Sequence, residues 1–515
     1  MKLTMKICGG TLFDGSGDPE RIDDIGICGD KIVAIGDLSN IESTETINAK
    51  GKLVCPGFID SHTHSDTFIL IEPSAKSKIF QGITTEICGN CGASAAPLLG
   101  EYRLPADWES KDYPKAWKTV AQYRRRVDEV HPAINIALLI GHNTLHAGIC
   151  GYEPRGANSN EQKKMEKQLE QGLEEGAIGL SSGLAYPPGS AVPREELIKL
   201  CRVVAKKEGI YTTHMRSESS ALLNAIDESI QIAEQSGVRL HISHLKASGK
   251  SNWDLLEPAL QKVRVAGASS DRYPYTAGST DLDILLPKWA SYGGRSAILK
   301  RLQDPKQKQK IREELQQNPC DYWDNVMIGS TQFDSFKGKY LPEIAQILQM
   351  EKVDAFLHLI LSDELKTGGI FFSMSEKNLW KVLAEPWVSI GSDASLRAPT
   401  GILSTDHPHP RAYGSHIRFL RAALDQKTVP LPEAIRKMTA LPAQQFHLQK
   451  RGQLKEGFFA DIAVFDRDKI KENSTYANPH QLASGLEHLW VNGVFTFKNG
   501  QQQSETGGCF LSSSD

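Results

Sequence analysis

Five short β-rich segments end on side chains of the kinds that bind zinc. Phe58-Ile-Asp-Ser runs into His62-Thr-His64, Cys88-Gly-Asn into Cys91, Thr213 into His214, Ser243 into His244, and Gly391-Ser into Asp393. Imidazole, thiolate and carboxylate are the donors zinc accepts from proteins. His62 and His64 are two residues apart, so on a strand both can face one way. His241 and His244 are three apart, which on a strand sends them to opposite faces. His244 stands at the strand end and His241 is expected to pack under a helix. A single histidine or cysteine in an apolar strand is ordinarily a core residue, and Cys88 and His241 are read that way. No second Cys-x-x-Cys accompanies Cys88 and Cys91, so a zinc ribbon is not expected. Five ligand-type strand ends in one series carry the metal reading for the others.

The segments holding these residues alternate with helical ones. Eight short β-rich runs, at 58–60, 84–87, 134–140, 177–181, 210–213, 240–243, 268–271 and 388–391, are separated by stretches with helical spacing and capping residues, such as 160–175, 193–207 and 219–236. That series predicts an α/β fold, a (β/α)8 TIM-like metallo-barrel over 57–450, whose chemistry sits at the C-terminal ends of its strands. The spacing breaks before the eighth strand, where 281–386 reads as an insertion in the seventh strand-to-helix loop, polar and Lys/Gln-rich around 304–317. An insertion there lands on the catalytic face as a lid. The two ends, 1–56 and 451–515, read as short strands. Asn492-Gly493 between apolar runs is a strong hairpin signal. Each end is too small alone, so one small β-sandwich built from both is expected.

The 515 residues carry 59 Lys and Arg against 62 Asp and Glu, a net charge of −3. This excludes the basic surplus of a nucleic-acid or anionic-membrane binder. No apolar run is long enough to span a bilayer, and residues 1–10 lack the apolar segment of a signal peptide. Nine scattered cysteines are not a disulfide framework. A reducing cytoplasm is the expected location.

Pro56-Gly-Phe-Ile-Asp-Ser-His-Thr-His64 resembles the strand-one signature of the amidohydrolase superfamily, and Lys455-Glu-Gly-Phe-Phe-Ala-Asp461 resembles that superfamily's return to its small β-domain. Most members bridge two metals with a carboxylated lysine on strand four, but here that strand reads Ala177-Ile-Gly-Leu-Ser-Ser182. The thiol of Cys91, with His214-Met-Arg, Ser243-His244-Leu-Lys246, Tyr273-Pro-Tyr-Thr-Ala-Gly-Ser279, Gly391-Ser-Asp393 and His409-Pro-Arg411, closely resembles the N-acyl-D-amino-acid deacylases over about residues 1–500.

The resemblance implies a zinc enzyme that cleaves the linear amide of small N-acyl-D-amino acids. It implies one tight zinc on Cys91, His214 and His244, and a weaker second site on His62, His64, Cys91 and Asp393. Zinc would bring the pKa of its water towards about 7. Asp393 would take the water's proton and return it to the departing amine. Lys246, Tyr273, Ser279 and Arg411 match positions that bind the substrate carboxylate. Arg216 and Glu218 would orient the loop after His214. The loop Ala394-Ser-Leu-Arg397 departs from the family pattern. Arg397 would there reach the side-chain pocket and favour acidic substrates, or else Lys288 and Trp289 would wall an apolar one. Two other functions compete: a cyclic-amide hydrolase like the hydantoinases or dihydroorotases, and a non-catalytic metal-binding assembly protein.

Overall fold

The computed structural model describes residues 2–512 except 101, 103, 110, 114, 115 and 319. Eight parallel strands run Phe58–Asp60, Ile83–Cys88, Asn135–Gly141, Gly179–Gly183, Ile210–His214, Arg239–Ile242, Ser269–Arg272 and Val388–Ile390, each hydrogen-bonded to the next. They are strands one to eight below. The ring closes at its mouth. Ser61 N donates to Ile390 O (3.3 Å), Asp393 N to His62 O (2.8 Å) and His64 N to Ala394 O (3.2 Å).

Parallel strands covered on both faces need apolar residues in unbroken runs, and strand three is buried at every position. Alternate residues fill the inside of the ring, where Ile87, Ala137, Leu139, Ile178 and Ile210 pack with Phe446 and Leu511. The remaining positions meet the outer helices. Ser159–Glu174 begins at an Asn158 capping box and buries Met165, Leu169 and Leu173 on one stripe.

The terminal segments form one continuous nine-stranded sheet, with Leu53–Pro56 and Ile462–Phe465 antiparallel at the seam in register Val54 to Val464. Its core includes Ile7, Ile25, Ile27, Val54, Ile462 and Trp490. Asn492 and Gly493 both have positive φ (50° and 77°), as a two-residue hairpin turn requires.

Two boundaries differ from the sequence-based expectation. The segment before strand eight holds a three-stranded antiparallel sheet of Ala277–Asp281, Val326–Ser330 and Gly368–Phe372, with its own helices and core. It therefore starts before residue 281. Helix Glu376–Ala384 buries Leu379, Val382 and Leu383 in the barrel core, not in the insertion. Ala-Gly-Ser-Thr-Asp is too short and polar to read as a strand, and a barrel helix has the same period as an insertion helix. The end of the 451–515 segment also returns to the barrel, where Phe510–Leu511 pairs with strand three at Ile136 and Ala137. Among the described residues no helix is long and apolar enough to cross a membrane.

Candidate metal centre and active site

The C-terminal ends of strands one, two, five, six and eight, with the loops that leave them, bring six side chains together at the barrel mouth. They form two groups that share Cys91: His62, His64, Cys91 and Asp393, and Cys91, His214 and His244. Within each group the donor atoms lie within 4.8 Å of one another. Cys91 Sγ is 3.3 Å from His62 Nε2 and 3.4 Å from His244 Nε2. Three of the six have left-handed backbones, Cys91 (φ 52°), His244 (36°) and Asp393 (51°). Such conformations are costly away from glycine and gather at functional sites. Gly89 and Gly92 flank Cys91, and a Cβ on Gly89 would sit 2.0 Å from Leu139 O.

The turn at His244 also corrects the reading of His241. Strand six ends at Ile242, so the two-residue alternation stops before His244. His241 lies inside the ring, not under a helix. Its Nδ1 is 2.9 Å from Ser269 Oγ and its Nε2 2.9 Å from Asp271 Oδ2, and its ring tilts against Phe446. Cys88 is buried beside Thr63 Oγ1 (3.2 Å), and burial pushes its thiol well above the ordinary range.

Two carboxylates set the histidine tautomers. Asp271 Oδ2 lies 3.0 Å from His62 Nδ1, and Glu218 Oε1 lies 2.8 Å from His244 Nδ1. Each takes the Nδ1–H, which turns the Nε2 lone pair towards Cys91. This is the usual outer support of a metal-binding histidine. His214 Nδ1 is buried with no hydrogen-bond partner. Burial raises the Cys91 thiol, but the charges of His62 and His244 and bonds from His214 and His244 outweigh it and hold it well below the usual range. Against burial, the surrounding anions raise His64 to about 9 and His244 to about 10. The pocket is therefore arranged for positive charge. A dication takes the place of such protons, so the donor set fits a zinc-type ion.

Strand four carries no lysine. Its Ser181 ties down the Cys91 loop, accepting from Gly92 N (3.0 Å) and donating to Gly89 O.

Asp393 bridges the metal-type cluster and the cations. Its Oδ1 is 3.1 Å from His64 Nε2, and its Oδ2 accepts from Arg411 Nη1 at 2.8 Å. Burial raises its carboxyl, yet Arg411, His244 and His64 hold it well below the carboxylate range. Arg411 also donates to Ser279 O (3.2 Å) and lies over the Tyr273 ring at 4.6 Å. The Tyr273 hydroxyl is buried without a partner. Burial pushes it up, but Lys246, Arg272 and Arg411 together bring it below its ordinary value. Lys246 Nζ sits between Glu218, His244 Nδ1 (2.9 Å) and His244 O (3.2 Å).

The sequence profile described as Amidohydrolase family matches residues 45–358 and 388–497. The chain belongs to the amidohydrolase family. It is 34% identical over 507 residues to a D-aminoacylase of Alcaligenes xylosoxydans xylosoxydans, covering 97% of this chain and 95% of that one. It is 34% identical over 515 residues to an N-acyl-D-glutamate deacylase of the same organism, with 96% and 94% covered. The solved N-acyl-D-glutamate deacylase from Bordetella bronchiseptica, complexed with zinc and a phosphonate inhibitor, superposes with a TM-score of 0.85 at 31% identity. That match covers 99% of this chain and 100% of the other.

Three placements in this amidohydrolase differ from the sequence reading. Arg397 is buried and already paired, with Asp107 Oδ2 at 3.3 Å and Asp406 Oδ2 at 3.9 Å, above the Phe68 ring. Trp289 faces within the insertion, donating to Glu314 Oε2 (2.9 Å) beneath Lys310. Ser279 offers Arg411 its backbone carbonyl. Arg216 does hold its own loop, through Glu228 (2.9 Å) and Ser190 O (2.9 Å), but Glu218 reaches across to His244. Asp271 was missed altogether. Its sequence signal is a charged residue within a barrel-strand run, which a barrel interior tolerates only with partners.

Proposed function

We propose that this amidohydrolase hydrolyses the linear amide of N-acyl-D-amino acids, releasing a carboxylate and the free D-amino acid. The observation that carries the reading is the shared thiol of Cys91 between two donor groups, with Asp393 joining them to Arg411. The near full-length likeness to D-aminoacylase and N-acyl-D-glutamate deacylase supports it.

Cys91, His214 and His244 would hold one tight zinc, and His62, His64, Cys91 and Asp393 a weaker second ion. A zinc ion so held supplies Lewis acidity to the amide carbonyl and lowers the pKa of water. Asp393, kept ionised by Arg411, takes a proton from the attacking water and delivers it to the departing nitrogen. Lys246, Arg411 and the Tyr273 hydroxyl form the cationic, hydrogen-bonding corner for the substrate's α-carboxylate, and Ser279 O fixes the Arg411 fork. A reducing compartment such as the cytoplasm is the location we propose, since the cysteines are scattered along the chain and form no disulfide framework in the sequence.

The test is a hydrolysis panel of N-acetyl-D- and N-acetyl-L-amino acids, with hydantoin and dihydroorotate as cyclic controls, on zinc-loaded protein. Turnover of the D-series is expected. Turnover of a cyclic amide alone would replace the proposal with a hydantoinase-like one. Zinc binding without turnover of any substrate would leave a metal-binding protein.

A further inference from the structure

We propose that His142, His146 and Glu196 form a separate metal site, apart from the barrel mouth, that takes one divalent transition-metal ion of the zinc type. None of the three belongs to the groups around Cys91. His142 and His146 are four residues apart on helix His142–Cys150, so they stand side by side on one face. Glu196 meets them from the first turn of helix Arg194–Lys206.

His142 Nε2 and His146 Nδ1 each lie 2.8 Å from Glu196 Oε1. Their ring centroids are 5.7 Å apart. The two histidines are 0% exposed and Glu196 4%. One donor atom from each residue lies within 4.8 Å of the others. Two imidazoles and a carboxylate are a set that zinc binds readily.

The protons can be arranged for an ion as well as for hydrogen bonds. A neutral imidazole has one N–H. If both rings donate to Glu196, the His142 Nδ1 lone pair faces Asn143 Oδ1 at 3.4 Å. That oxygen already accepts from Gly183 N (3.3 Å), and His146 Nε2 is left buried with no partner. With the His142 proton on Nδ1, where Asn143 accepts it, and the His146 proton on Nε2, both ring lone pairs face the same carboxylate oxygen. Three electron-rich atoms in one buried spot call for a cation. Glu196 is prepared for that. Its other oxygen is fixed by Ala157 N at 2.7 Å.

The site also has a structural use. The helix it would brace begins against the Cys91 loop. Thr144 N donates to Gly92 O (3.1 Å), Ser94 N to Thr144 Oγ1 (2.9 Å) and Asn143 Nδ2 to Gly183 O (3.0 Å). An ion on His142, His146 and Glu196 would clamp this helix to its neighbour behind the thiol ligand.

The deciding experiment is anomalous diffraction at the zinc edge from crystals of the unaltered, zinc-loaded chain. A peak between His142 Nε2, His146 Nδ1 and Glu196 Oε1, besides any near Cys91, is expected. A peak near Cys91 with none at this triad overturns the proposal. Metal analysis of dialysed protein gives a second reading. His146→Gln is expected to lose about one ion per chain while the ion near Cys91 remains. Unchanged metal content in a folded His146→Gln overturns the proposal equally, and if that variant does not fold, the diffraction result stands alone.

Discussion

Asp393 owes its charge to its neighbours, and its task follows from that. A carboxylate held ionised by Arg411 at 2.8 Å and His64 at 3.1 Å is a base at neutral pH. Asp393→Asn keeps the shape and removes the base, so kcat is expected to fall about 10²–10⁴-fold. Zinc on the Cys91–His214–His244 set should be retained. Parallel turnover and metal assays check both, and near-normal turnover would remove Asp393 from the chemistry. Glu218 acts one step further out, through His244 Nδ1. Loss of such an outer partner weakens metal binding about 10–100-fold. Glu218→Gln should therefore need more zinc to recover activity, a shift read by titrating metal-free protein. An unchanged titration would mean that Lys246 alone positions His244.

At the scale of elements, the two-residue strand Phe510–Leu511 does more than its length suggests. It pairs with strand three where strand four has not yet joined, and it carries Leu511 into the ring's interior. Phe510 itself packs edge-on against Tyr123. Phe510→Ala should cost about 3–5 kcal/mol, the usual range for an aromatic core truncation. Urea unfolding would read this as a lower midpoint, and an unchanged midpoint would make the strand ornamental. The same element marks what the sequence can express. All eight barrel strands were legible because short β-rich runs alternate with helical segments, and the six donors because they sit where those runs stop. A pair such as Phe510–Leu511 has no period to detect. Ala277–Asp281 hid among turn-forming residues. The roles of Asp271 and Glu218 depend on which ring nitrogen they face, which spacing along the chain does not encode. His241 was misplaced because strand alternation was carried past the point where the strand ends.

Across the whole molecule, buried ionisable groups set the response to acid. His416 is buried against Phe58, with Asp60 and Lys78 as its charged neighbours. Burial comes first, and it lowers the imidazole to about 4 from an ordinary 6.5. Above pH 6.5 neither the folded nor the unfolded form carries that proton. Below it the unfolded chain gains a proton that the folded one refuses. The associated stability is therefore complete above 6.5 and is lost as pH falls towards 4, amounting to about 3 kcal/mol. His416→Leu should flatten that part of the stability curve between pH 7 and 4. Equal slopes in the two proteins would show that His416 does not govern it.

The seam between Val54 and Val464 has a consequence for how the protein is made. Its two strands are about four hundred residues apart in the chain, and loop closure over that distance must precede their reward. On the ribosome, Leu53–Pro56 emerges early and waits through synthesis of the entire barrel with that edge open. An unpaired strand edge is a template for wrong partners. Nascent chains halted before residue 462 should therefore bind holdase chaperones and aggregate when these are depleted. Chains released after residue 498 should not, and pulse-labelled pelleting of the two lengths distinguishes them.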